Sequence, residues 1–440
     1  MGNLHISQLQ DMTISELTRM AKEMMLSGYS GLRKQELIAR ILEAKAKLDE
    51  GTLYGGGVLE VLPEGYGFLR SSRFNYLQSS EDIYLSHSQQ RKFGLRTGHF
   101  VEGTIRPPKK TGDKSENYFA LLKILTVNGE SPSTIKDSIL FDNLTPVHPF
   151  ERLRLEHHPK EFATRILDLM SPIGKGQRGL LVAPPYSGKT TLLKNIAHGI
   201  AQNHPEVVLM VLLIDERPEE VTDVLRSVKG EVISSTFDEH PERHVAVAEM
   251  AAEKAKRCVE CGQDVVVLLD SMTRLARACN IVMPHSGKTL SGGLDAFAFL
   301  KPRRFFGGAR KIEEGGSLTI IATALVETES RADEAIFEEF KGTGNMEVHL
   351  DRSLLDRSIF PCINVLQSKT RREELLLEPD VLSKVLVLRR FLSQMGPAES
   401  MELLAEQLNK TNSNEELLEM MAQGGVGSGK SSRTKSKWSH

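Results

Sequence analysis

The sequence predicts an α/β architecture standing behind a small β-barrel, on three observations. From about Glu156 to residue 420, apolar runs of strand length alternate with segments of helical period, the pattern of a parallel sheet covered by helices. Between Gly51 and residue 128 the period is two instead, in GVLEVL, YGFLRS, DIYLS, FVEGTIRP and YFALLKIL, with Gly, Pro, Asn and Asp between the runs. Within the α/β part, the apolar run RGLLVA (178–183) leads into a Ser-Gly-Lys-Thr turn and then a helical pattern.

Composition narrows the class. A chain of 440 residues, 40% hydrophobic and 26% charged, has room for two or three domains with a sizeable core. The longest apolar run, VVLMVLLI (207–214), is far short of the roughly 20 residues that span a bilayer. The first residues carry no signal-peptide core, so a cytoplasmic protein with no membrane partner is expected. Four cysteines make no disulfide framework. Cys258 and Cys261 form a lone C-x-x-C without a second pair for zinc, and read as two half-buried thiols.

In chain order, residues 1–48 read as a helical module, because ISELTRMAKEMML and KQELIARILEAKAK repeat Leu, Ile and Met at helical spacing around SGYSG. Residues 51–128 supply five short strands, enough for a closed barrel of OB type. Residues 129–155, with their Pro, Ser and Asn, read as a linker, and 156–420 as the α/β domain. The tail 421–440 is Gly/Ser-rich and basic and reads as disordered.

Two stretches compete as a phosphate-binding loop. GGVGSGKS (424–431) matches G-x-x-x-x-G-K-[ST] at every position, whereas APPYSGKT (183–190) begins with Ala183. Context decides for the second. A phosphate loop needs a strand to deliver it and a helix whose N-terminal amides and dipole face the phosphates. RGLLVA and TTLLKNIAHGIAQ flank 183–190 in that way, while the tail match follows a helical segment and is followed by only nine residues, too few and too polar for a packed helix. The set Ala183, Pro184, Pro185, Tyr186, Ser187, Gly188, Lys189, Thr190 and Thr191 is therefore the expected nucleotide cradle. A third echo, HSGKT (285–289), has no preceding strand. CGQDVVVLLD ends in Asp270, where a carboxylate can hold Mg²⁺ opposite the Thr190 hydroxyl. VVLMVLLIDE ends in Asp215 and Glu216, where a carboxylate can polarise an attacking water. In the barrel, EGYGFLR and EDIYLS alternate rings with small or polar residues, placing Tyr66, Phe68 and Tyr84 on one accessible face that could stack on unpaired bases, with Arg70 near phosphate.

The runs VAPPYSGKTTLLKNIA, VLLIDERPEEVTDVLRSVKGEVISSTFDE, LLDSMTRLARACN, GGARKIEEGGSLTIIATALVET, EEFKGTGNME and SKTRREELL, behind an EGYGFLR barrel, resemble the bacterial transcription termination factor Rho family over about residues 5–420. The resemblance implies a RecA-like P-loop ATPase domain preceded by the helical module and a cold-shock-like OB barrel. It implies a homohexameric ring that binds pyrimidine-rich single-stranded RNA, hydrolyses ATP with Mg²⁺, and translocates 5′ to 3′ to dislodge RNA polymerase. It also implies roles: Lys189 and Thr190 on the phosphates, Glu216 as catalytic carboxylate, Asp270 as the magnesium acid, Phe360 under adenine. Arg371 would be the next subunit's arginine finger, with Arg217, Lys341 and Arg357 as further interface groups. Tyr66, Phe68, Arg70, Asp82, Tyr84, Glu116 and Tyr118 would form the barrel's RNA site, the carboxylates reading base edges. HSGKT would be a channel loop presenting Lys288, and Glu327 to Arg331, with Thr328 and Arg331, a second one.

Two departures stand out. Family members commonly have Thr-Gly-Ser and then a basic residue in the second loop, whereas this chain has Thr328-Glu329-Ser330-Arg331, and the basic tail extends past the usual C-terminus. Other classes share parts of the pattern. A rotary or secretion ATPase would have little use for an aromatic barrel face, a DNA recombinase would prefer DNA, and a cold-shock protein would not need the water-activating set.

Overall fold

A computed structural model describes residues 53–108, 110–111, 114–136 and 138–423, with 4–5, 9, 12–26 and positions 34, 37–38, 40–41 and 44. The basic tail with its GGVGSGKS match, and much of the second N-terminal helical pattern, lie outside the described residues. Helix α1 (Ile14–Glu23) starts at a capping box, in which the Thr13 hydroxyl accepts the Glu16 amide and the Glu16 carboxylate accepts the Thr13 amide at 2.6 Å. Its inward Leu17 and Ala21 share one core with Leu37, Ile38, Ile41 and the barrel interior.

Five strands, β1 (Leu53–Val61), β2 (Gly67–Arg70), β3 (Ile83–Leu85), β4 (Phe100–Arg106) and β5 (Phe119–Val127), form the barrel in the order β1-β2-β3-β5-β4, and β4 closes back on β1. Alternation sorts the side chains. Leu59, Leu69, Ile83, Leu85, Val101 and Ile105 point in, while Phe68 and Tyr84 point out as cross-strand partners. Gly57 permits the tight closure, since a Cβ there would stand 2.6 Å from the Arg70 carbonyl oxygen.

The expected linker is a packed strap. It contains a short helix, Pro132–Lys136, and it buries Phe141 and Leu144 in the core of the α/β part. Polar contacts reinforce this seam: Arg96 Nη1 donates to Glu260 at 3.1 Å and Asn128 Nδ2 to the Arg257 carbonyl at 3.1 Å.

Among the described residues the second sheet has nine strands. Its main path is β8-β7-β9-β10-β6-β11-β12, built from β6 (Arg178–Ala183), β7 (Val208–Glu216), β8 (Glu231–Thr236), β9 (Asp264–Asp270), β10 (Ser317–Leu325), β11 (Met346–His349) and β12 (Lys369–Thr370). All of these pair parallel except β12 on β11. Helices α2 (Lys189–Asn203), α3 (Pro218–Ser227), α4 (Pro241–Glu260), α5 (Met272–Val282) and α6 (Arg331–Lys341) make the crossovers. Two cores form, one on each face: Leu181, Leu193 and Val211 belong to one, Leu180, Leu212 and Leu275 to the other. Burial on both faces is why these strands read as continuous apolar runs. Among the described residues no helix is long and apolar enough to cross a membrane.

Candidate nucleotide site and nucleic-acid interface

The C-terminal ends of β6, β7 and β9 put the predicted phosphate loop and both carboxylates on one rim, where open parallel sheets bind ligands. Ala183 is the last residue of β6 and keeps strand geometry beside Leu325, so that position does not need a glycine. Gly188 does, since it caps α2 at φ +86°. Ser187 is buried, its hydroxyl donating to the Pro184 carbonyl at 2.7 Å, and Tyr186 projects 90% exposed from the loop.

Lys189 Nζ lies 2.8 Å from Glu216 Oε1 and 2.7 Å from Asp270 Oδ2, and both carboxylates are almost fully buried. Burial pushes the lysine's pKa down, but the attraction of Asp270 and Glu216 outweighs it and leaves the ammonium above its ordinary value. Glu216 moves up, first because it is buried and then because Asp270 repels its charge, with Lys189 opposing. A buried carboxyl whose pKa is raised in this way is chemically suited to accept a proton. The Thr190 hydroxyl stands 3.5 Å from Asp270 Oδ2, a pair of hard oxygens on the phosphate side of the helix.

Three supporting groups lack a motif. Thr323 donates to Asp270 Oδ1 at 2.7 Å, Glu220 accepts from Thr190 at 3.3 Å, and Arg274 holds Asp215 Oδ2 at 2.9 Å with its Nε 3.6 Å from Glu216. Only Arg274 carried a sequence signal, its place in the first turn of the helix that Ser271 caps after Asp270.

The remaining nucleotide-site candidates divide by rim. Arg217 caps α3 directly after Glu216 and is exposed. Segment 351–362 leaves β11 beside the loop, since the Leu350 amide donates to the Val182 carbonyl, and it carries exposed Arg357 and Phe360, the latter 61% accessible. Lys341 and Arg371 stand at the other end. Thr370 pairs with Met346 and Met346 with Gly179, so Arg371 lies at the start of the strands, and its charge is among those that lower the Arg178 pKa, after burial. The length of β6, about 16 Å at strand rise, separates that rim from the phosphate loop. Neither residue is brought to this chain's own Lys189.

On the barrel, four rings form one cluster: Tyr66–Phe68 at 5.9 Å, Tyr66–Tyr84 at 5.7 Å and Phe68–Tyr118 at 4.9 Å between centroids. None belongs to the barrel core, and Tyr84 is 36% exposed. Arg70 differs from the expectation of a phosphate contact. It is buried, with Nε donating to Glu60 Oε2 at 2.7 Å, Nη1 to Asp82 and its guanidinium 5.0 Å from the Phe68 centroid. The reason is that Arg70 ends β2 beside two acids, which satisfy it from within. Asp82 is itself enclosed, accepting from the Ser79 amide at 2.9 Å, and burial raises its carboxyl above the ordinary range despite Ser79 and Arg70. Glu116 pairs with Arg106 at 2.9 Å.

The two expected channel loops touch each other. Lys288 is exposed on the first, whose base is held by Asp295 accepting the Ser286 amide at 2.8 Å. Gly292, just past that loop, lies so close to the second that a Cβ would sit 2.7 Å from the Arg331 carbonyl oxygen. In the second, Thr328 turns inward and donates to buried Asp333 at 2.6 Å, which Arg277 also holds at 2.6 Å, so its hydroxyl is committed within the chain. Arg331 is exposed at the start of α6. Glu329 adopts φ +61°, a left-handed conformation that glycine takes without strain.

Family models match in three places: Rho termination factor, N-terminal domain, over residues 8–50; Rho termination factor, RNA-binding domain, over 55–133; and ATP synthase alpha/beta family, nucleotide-binding domain, over 163–370. A Chromobacterium violaceum protein named transcription termination factor Rho is 56% identical over 421 residues, covering 95% of this chain and 100% of its own length. Its namesake from Aquifex aeolicus is 55% identical over 94% of this chain and 95% of its own. Among solved structures, a prototypical ATPase of the type III secretion system of pathogenic bacteria shares the fold, with TM-score 0.55 and 20% identity over 73% of this chain and 94% of that one.

Proposed function

Since the chain belongs to the family of transcription termination factor Rho, we propose that it is an ATP-driven RNA translocase that works as a homohexameric ring in the cytoplasm. It binds pyrimidine-rich single-stranded RNA, moves 5′ to 3′ along it, and dislodges RNA polymerase. One observation carries this reading beyond the family: a single chain holds both a phosphate loop facing a buried carboxylate pair and an outward cluster of four aromatic rings. A secretion or rotary ATPase has use only for the first.

In the proposed reaction Lys189 binds the β- and γ-phosphates, the amides of 184–190 cradle them, and Glu216 takes a proton from the attacking water. The hydroxyl of Thr190 and the carboxylate of Asp270, oxygens of the kind a hard cation prefers, fit Mg²⁺ and would hold it. Bound there, the ion would neutralise charge on the phosphate oxygens. Tyr186 and Phe360, exposed on the loop's own rim, are the apolar surfaces offered to adenine. Arg217 and Arg357, on that rim too, face a neighbouring subunit. The opposite placement of Arg371 and Lys341 favours their serving the next subunit's nucleotide, Arg371 as arginine finger. On the barrel, Tyr66, Phe68, Tyr84 and Tyr118 stack on bases, while Arg70, Asp82 and Glu116 shape the edge-reading pocket beside them. Lys288 and Arg331 meet RNA phosphates in the channel. ATP hydrolysis measured with poly(C), with other RNA homopolymers and without nucleic acid tests the reading. Strong stimulation by poly(C) is expected, and RNA-independent turnover would refute it.

A further inference from the structure

The barrel meets the α/β part at a second point, apart from the Arg96 and Asn128 seam. The segment after Arg70 makes a short turn (Ser72–Phe74) and passes through two consecutive left-handed residues, Asn75 at φ +52° and Tyr76 at φ +61°. Asn adopts that conformation readily, but a bulky Tyr holds it only when the surroundings impose it. Here they do: Tyr76 is 3% exposed within the core around α4, its hydroxyl donates to Glu231 Oε1, and Lys254 Nζ donates to the Tyr76 oxygen at 2.9 Å. Asn75 Oδ1 accepts the Ser234 amide at 2.8 Å.

Glu231 and Ser234 both lie on β8, the end strand of the main sheet path, whose strand partner is β7. The loop therefore satisfies one amide, that of Ser234, on an edge that the main sheet path leaves open. At the far end of the same pairing, the register shifts between Ile214 and Glu216, Asp215 takes φ +57°, and the Phe237 amide donates to the Glu216 carbonyl at 3.1 Å. A bulge of this kind aims the side chain that follows it, so the position of β8 sets the aim of Glu216. Between this contact and the Arg96 seam lies a cleft of about 900 Å³, lined by Leu62, Leu77 and Thr97 from the barrel and by Ala248, Glu249 and Cys279 opposite. The docked loop is thus a separate attachment, running from the end of the RNA-stacking strand to the strand beside the catalytic carboxylate.

We propose that Tyr76, through Glu231 and Lys254, is a positioning residue that transmits occupancy of the barrel's base site to Glu216. The proposal rests on the RNA-dependent ATPase reading, and its test separates the two. Tyr76→Phe keeps the ring and deletes the hydroxyl, and Glu231→Gln weakens the same contact from the other side. In the full-length protein, each variant is expected to lower kcat at saturating poly(C) by about ten-fold or more, the scale of one hydrogen bond to a charged group. The KM for ATP, the turnover without RNA and the Kd for labelled oligo(C) should stay within about two-fold, because the ring packing and the aromatic face are untouched. A double-mutant cycle supplies the second readout. In a Tyr66→Ala background, where the barrel signal is already weakened, adding Tyr76→Phe should have little further effect on kcat, whereas a merely structural role gives additive losses. A wild-type protein whose turnover ignores RNA overturns the functional reading and this proposal with it. Stimulated wild type with an unchanged Tyr76→Phe, or additive losses in the cycle, overturns the positioning role alone.

Discussion

The nucleotide rim and the barrel face are built on opposite plans. At the rim, Lys189 lies within 2.8 Å of both Glu216 and Asp270, the two carboxylates are held out of water, and supporting groups stand beside each of them. On the barrel Arg70 and Asp82 are sealed beneath the surface, with the partly exposed Glu60 beside them, and a set of rings faces outward. The contrast follows from the two tasks. Breaking a phosphoanhydride needs preorganised charge in a dry site. Gripping unpaired bases needs π-faces on which they can stack, and tolerates water.

The sharpest way to break that contrast is to remove charge from the rim. Lys189→Ala is expected to reduce ATP hydrolysis by at least about 100-fold, the scale for losing one preorganised charge-stabilising group, while oligo(C) binding to the barrel is retained. Lys430→Ala, in the tail match, should leave steady-state turnover within about two-fold, since no strand pattern delivers that match and no helical pattern follows it. Hydrolysis lost in the second variant and kept in the first would reverse the assignment of the two loops.

Glu216→Gln comes next. Loss of a general base is expected to cost about 100-fold or more in kcat. Its stability should move the other way. Burial and Asp270 raise the Glu216 pKa in the folded protein, so its charge is destabilising above that pKa, and no penalty remains below about 4.5, where the carboxyl is protonated both folded and unfolded. The variant should therefore melt higher than wild type at pH 7, and the gap should close as pH falls through the raised pKa towards the ordinary one. A gap independent of pH would show that Glu216 is not strained by its charge. Mixed with inactive Arg371→Ala subunits, Glu216→Gln subunits should recover measurable ATPase if the finger acts across an interface. Absence of recovery despite subunit exchange counts against that role.

Smaller effects belong to the barrel. Tyr66→Ala and Phe68→Ala should each weaken oligo(C) binding by about 1 to 3 kcal/mol, the value of a stacked base, with nucleotide affinity unchanged. Normal RNA binding in both would demote the rings to a packing role.

The smallest effect lies in the second channel loop. Glu329→Gly removes an acid from the expected RNA path and releases a left-handed residue, a gain of up to about 1 kcal/mol in stability. The RNA concentration for half-maximal ATPase should fall, most visibly at low salt, where a carboxylate about 8 Å from a phosphate opposes binding by about 0.5 to 2 kcal/mol. An identical RNA requirement in both proteins would show that the carboxylate points away from the RNA.

Much of this architecture is legible from local pattern. Period and spacing are properties of consecutive residues, so the strand-loop-helix at 178–203, the acids ending β7 and β9, and the outward rings of EGYGFLR and EDIYLS could be placed without coordinates. The same locality explains why an imperfect phosphate loop outranks a perfect one, since Ala183 continues a strand and needs no special φ. What chain distance hides was decided by packing. Arg70 looked like a phosphate contact until folding enclosed it between Glu60 and Asp82, and residues 129–155 looked like a spacer until Phe141 and Leu144 were buried. Arg371, expected to serve the next subunit's nucleotide, stands on the far rim from this chain's own Lys189 because β12 runs antiparallel to β11. Thr323 and Tyr76 carry no motif because their partners lie on other strands, 53 residues away for Thr323 and 155 for Tyr76. Side-chain type and spacing thus determined which chemistry this protein carries. Which charges face solvent, and which end of the sheet each group reaches, depended on contacts between distant segments, where burial and strand direction act and sequence periodicity does not.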